Sequence, residues 1–162
     1  MKIVLLCLIT LLSSYCYAQG SFNYVNEDGT PCPKGVFGPS KLEGKIVNCL
    51  KEGEWKKYLK DGTLYAIENY SKDTLNGLVS RFTNGGVLYI KRMYKKGALN
   101  GVYEKYHTST KGLQTKGYYR DNIKDSVWSE YNIFNGSIRS EKFYNMGKLV
   151  TKKEYYAMNN SD

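Results

Sequence analysis

One histidine, His107, is all the imidazole this chain has, and two of its four cysteines, Cys7 and Cys16, fall in the first 18 residues. A zinc tetrad therefore cannot be assembled from His and Cys. The remaining pair, Cys32 and Cys49, lacks the Cys-x-x-Cys spacing of a redox centre. Long apolar runs are also missing: the only one, residues 3–12, is too short to cross a bilayer. No glycine-rich loop has the spacing that cradles phosphate. A hydrolase or transferase needs a base, a nucleophile or paired carboxylates in a pocket. His107 stands in a loop, and for Glu54, Glu104, Glu130 and Glu154 cross-strand ion pairs are the expectation. The sequence offers no catalytic residues, no metal ligands and no cofactor motif, and reads as non-enzymatic.

The N-terminal run does carry a message. Lys2, the apolar residues 3–12 and a small-residue site ending at Ala18 form a secretory signal, residues 1–18, with cleavage before Gln19. Lipidation at Cys16 would want a small residue in place of Tyr15, so simple export is the expectation. The destination is the periplasm, cell envelope or exterior. There Cys32 and Cys49 are expected to form one disulfide. It would close an 18-residue loop, worth about 3 kcal/mol in the chain-entropy model.

What the chain has in abundance is tyrosine, 16 residues, and it has it periodically. Units of 24 to 25 residues start at Gly53, Gly77, Gly101 and Ser126, with a fifth opening at Thr151. An aromatic recurs five residues into each: Tyr58, Phe82, Tyr106, Tyr131 and Tyr156. A later column reads Tyr70, Tyr94, Tyr119 and Tyr144. Within a unit, short Tyr- and Val-rich runs alternate with Asp-Gly, Gly-Gly and Asn-Gly turns, which is one β-hairpin per repeat. Repeats of this length stack on their neighbours. The predicted fold is all-β: an elongated single-layer antiparallel sheet of stacked hairpins over residues 53–156. Residues 19–52 form an N-terminal cap with a degenerate repeat, and 157–162 a disordered tail.

The first strand of each unit holds a further column, Trp55, Val79, Tyr103 and Trp128. It is an odd number of residues from the Tyr58 column, so the two point to opposite faces. A single layer then leaves one apolar strip near solvent unless a bulge rearranges it. Trp55, Val79, Tyr103 and Trp128 are the expected binding surface.

These residues also carry a resemblance. G-x-W-x-x-Y, a short turn with Gly-x-Leu, and Tyr-x-x-Gly-x-Leu recur in GEWKKYLKDGTL, YKKGALNGVYEKY and YNMGKL. The pattern resembles the MORN-repeat variant of many bacterial exported proteins, over about residues 53–156. The third unit departs from it with HTSTKG in place of the tight turn, and the fourth with Ser126 in place of Gly. The resemblance implies a hairpin-repeat sheet used for protein–protein or membrane-associated contact, and some relatives are labelled antitoxins. A protein partner is the first expectation. The net charge of +9, or +8 once Lys2 leaves with the signal (9 − 1), is spread over every unit. It would support at most weak attraction to a polyanion such as anionic lipid or a wall polymer. Nucleic acid is not an expected ligand of an exported chain.

Overall fold

The computed structural model describes residues 23–25, 31–35 and 41–159, with side chains for 41–156 and 158. The leader 1–18, the Cys32 side chain and tail residues 160–162 lie outside these, and the expectations placed on them stand as expectations. Two short strands, β1 (Asn23–Val25) and β2 (Pro31–Gly35), form a small antiparallel sheet of their own. Eleven strands then make one open antiparallel sheet. They are β3 (Leu42–Val47), β4 (Leu50–Tyr58), β5 (Leu64–Ser71), β6 (Thr74–Leu75), β7 (Gly77–Phe82), β8 (Leu88–Lys95), β9 (Ala98–Tyr106), β10 (Leu113–Arg120), β11 (Ile123–Tyr131), β12 (Ile138–Asn145) and β13 (Lys148–Val150). A single helix, α1 (Lys152–Asn159), closes the described chain.

Strand order follows chain order, from β3 to β13, with the two-residue β6 pairing only β5. This is the elongated, single-layer hairpin ribbon that the repeat predicts. At about 4.8 Å per strand, the ten strands on the main path span roughly 43 Å.

The two edges of the ribbon are turned by different chemistry. Along one edge run five two-residue turns, each with positive φ at both positions: Asn48 and Cys49, Lys72 and Asp73, Lys96 and Gly97, Asp121 and Asn122, Met146 and Gly147. This is the type I′ geometry whose twist matches that of the flanking strands. Asn and Asp accept left-handed φ because their side chains bond locally. Cys49, Lys72, Lys96 and Met146 have no such side chain and take this conformation from the register around them. Along the other edge run wider loops. The first two, residues 59–63 and 83–87, close with Gly62 and Gly86 donating to Leu59 and Thr83. The last two, residues 107–112 and 132–137, are one residue longer. That extra residue is why the later units measure 25 rather than 24.

Two boundaries differ from the sequence expectation. The array begins with the β3–β4 hairpin at Leu42, eleven residues before Gly53, so the C-terminal part of the cap is already repeat. The first I′ turn falls at Asn48 and Cys49, in phase with the other four, but no aromatic pair marks it in the sequence. The fifth unit is not a hairpin: Lys152, Lys153, Glu154 and Tyr156 lie on α1 rather than on a strand. Thr151 and Glu154 make a reciprocal capping box. The Thr151 backbone N–H donates to Glu154 Oε2 at 2.7 Å, and the Glu154 N–H donates to Thr151 Oγ1 at 3.2 Å. Two otherwise orphaned donors are thereby satisfied, and that local gain turns a T-K-K-E segment into helix.

Candidate functional site

The column proposed as a binding surface is the core of one face. Trp55 and Val79 are each only 2% exposed and Trp128 7%, with Tyr103 half-buried. The expectation of an exposed strip fails here because the second aromatic column shares this face and covers the first. Trp55 meets Tyr70 edge-on at 6.5 Å between centroids. Trp128 meets Tyr119 at 5.0 Å, Tyr103 at 5.2 Å and Tyr144 at 6.4 Å. Lysine stems close what the rings leave open. Lys51 Nζ lies 5.2 Å from the Trp55 centroid, and Lys124 Nζ 4.2 Å from that of Trp128.

The first and last units share one solution in detail. Gly44 and Gly117 lie beneath Trp55 and Trp128, where a Cβ would come within 2.3 Å of the indole. Each indole N–H donates to a strand carbonyl, Trp55 to Lys45 and Trp128 to Tyr118. In the middle units Arg92 stands between Val79 and Tyr103, so smaller residues than Trp accompany a larger partner than Gly. Glu68 is buried yet ionised: Lys57 pairs with it at 2.8 Å, Arg81 lies on its other oxygen, and the Tyr70 hydroxyl donates to it. Burial alone would raise its pKa. The Lys57 and Tyr70 hydrogen bonds and the Arg81 charge outweigh burial and hold it below the usual carboxylate value.

Cys49 is disulfide-bonded and packs on the Ile46 and Trp55 cluster. The Cys32 end of the expected pairing falls outside the described side chains. The four glutamates go to separate partners. Glu54 lies near Lys56, Glu104 accepts from Tyr106 and pairs with Lys116, Glu130 accepts from Ser140, and Glu154 caps α1. Desolvation, followed by the bond to Glu104, pushes the Tyr106 hydroxyl up to about 12.

The exposed apolar surface lies on the opposite face, at residues the sequence reading did not single out. Leu78 pairs with Met93, and Val102 with Tyr118, so four neighbouring strands, β7 to β10, present one continuous row. Leu78, Met93, Val102 and Tyr118 are each 37–41% exposed. The row continues through half-buried Val127 to its strand partner Phe143. There the chain covers it: Tyr155 and Tyr156 of α1 lie 5.4 and 6.1 Å from the Phe143 ring, which is 7% exposed. A sequence signal did exist. The residue after each unit start reads Glu54, Leu78, Val102, Val127, turning apolar after the first copy.

Among the described residues, no cluster of His, Cys, Asp or Glu is arranged to hold a metal ion, and no helix is long and apolar enough to cross a membrane. Compared with protein-family models and with curated proteins, the chain finds no match in either.

Proposed function

We propose that this chain is an exported, non-enzymatic binding module of the MORN-like kind, and that it receives an amphipathic helix of a partner protein on the row Leu78, Met93, Val102 and Tyr118. The observation that carries this reading is α1. The protein's own helix already lies on the last position of the row with an aromatic pair, and the four positions beyond it stay open. A second helix bringing similar residues would extend an existing contact rather than create a new kind of one. The regular hairpin period supports the MORN-like assignment. Export rests on the leader and agrees with the disulfide at Cys49. The lysines on the Trp face that lie over rings are engaged in packing, which weighs against a purely electrostatic scaffold on anionic lipid.

The test is site-specific photocrosslinking in an envelope extract, with a photoreactive phenylalanine at position 102 and a control at the exposed loop residue Lys60. One protein crosslinked at 102, absent at 60 and lost on Met93→Glu supports the reading. Equal crosslinking at both positions, or capture that disappears only with added salt, rejects it in favour of diffuse charge.

A further inference from the structure

The two longer loops, 107–112 and 132–137, stand side by side on one edge of the ribbon, and between them opens a cleft of about 360 Å³. Its walls include His107, Gln114, Glu130, Tyr131, Phe134 and Arg139. Three features set it apart from an accidental gap between loops. Phe134 is 92% exposed, the most exposed large apolar residue among those described. His107 Nε2 is shielded from solvent and has no hydrogen-bond partner. Arg139 and Glu130 both line the cleft, yet no ion pair joins them.

The loop holding Phe134 is also tied down. The Asn132 N–H donates to the Ser137 carbonyl, and the Gly136 N–H to that of Asn132. Asn132 Oδ1 accepts from the Phe134 N–H at 2.8 Å, and Asn135 Oδ1 from the Ser137 N–H at 3.0 Å. The backbone that carries the phenyl ring is thus held in a hydrogen-bonded frame, with the ring exposed.

We infer that this cleft binds a neutral sugar, a pyranose unit of a glycan outside the cell, with Phe134 as the stacking platform. Charge narrows the choice first. The chain is strongly basic, but the cleft lining holds one carboxylate and one guanidinium, so neither an anion nor a metal cation is favoured. Topology narrows it next. The strands feeding these loops, β9 to β12, are paired on both sides, so no free strand edge is offered to an extended peptide. What remains is a shallow site with an exposed flat ring and planar polar groups: guanidinium, carboxylate, amide and imidazole. Such groups offer coplanar donors and acceptors that reach adjacent hydroxyls of a ring whose C–H face lies on the phenyl. The volume is at the lower end of the roughly 300–1,000 Å³ range for small-ligand clefts, enough for a mono- or disaccharide. The inference is independent of the apolar row, which lies on a sheet face and not at this edge.

The experiment titrates the purified chain with chitotetraose, cellotetraose, maltotetraose and mannotetraose, alongside inorganic phosphate and glycylglycine. Binding is read by calorimetry and saturation-transfer NMR. At least one neutral tetrasaccharide is expected to bind with a Kd of about 1 mM or tighter, insensitive to salt. Phe134→Ala should weaken it at least about tenfold, with unchanged thermal unfolding because the side chain makes no core contact. Arg139→Ala should do the same. No saccharide binding at about ten times that concentration, binding of phosphate or dipeptide alone, or saccharide binding untouched by Phe134→Ala would each overturn the inference.

Discussion

Gly117 and Trp128 show how much of this fold is decided by single contacts. With a Cβ destined to sit 2.3 Å from the indole, Gly117→Ala forces the ring to move and should cost about 1–3 kcal/mol. Trp128→Ala should cost about 3–5 kcal/mol through lost burial and the hole left behind. The two effects cannot add, since without the indole the new methyl has room. Urea unfolding of both single variants and the double variant checks this, and additive losses would show that the pair is not the contact described. Glu68 adds a pH signature. Its carboxyl is held below the ordinary value of 4.5 in the folded chain, so its contribution is present above about pH 4.5 and is lost as pH falls through the folded-state pKa. Between pH 7 and 3, wild-type stability should fall more steeply than that of Glu68→Gln. The variant should begin lower at pH 7, because Arg81 and Lys57 lose their counter-charge. Parallel pH profiles would remove Glu68 from the acid response.

Helix α1 breaks the repeat at its C-terminal end, and removing it has a defined consequence. Ending the chain after Val150 should uncover Phe143 and lengthen the apolar row by one position. The ribbon should keep its β spectrum but bind more hydrophobic dye and self-associate in sedimentation. A truncated chain that stays monomeric with unchanged dye binding would mean that α1 covers nothing of consequence. The strands were legible in the sequence because period-2 alternation and Gly-rich turns recur in phase, so each copy corroborates the next. Helix α1 was hidden by that same regularity: Thr151 and Tyr156 fall where a fifth copy would put them, and only the Thr151 and Glu154 spacing signals a cap. The site was less legible than the fold. Counting residues placed Trp55 and Tyr58 on opposite faces correctly. It did not reveal that Tyr70 and Tyr119 lie over the Trp column, leaving the open surface to Leu78, Met93, Val102 and Tyr118. Which column covers which depends on pairing between strands, and that is not written in any one of them.

The main sheet is a ribbon in which each strand pairs with its neighbours in the chain, the two-residue β6 alone being passed over between β5 and β7. No strand in the sheet is threaded between partners from distant parts of the sequence, and each unit's core contacts reach only its neighbours. Tension applied at the two ends would therefore act on the outermost hairpin first and peel it away while its neighbours keep their hydrogen bonds. Such a protein yields to a pull in steps of one unit and re-zips from whatever remains, which makes the ribbon an extensible tether as well as a surface.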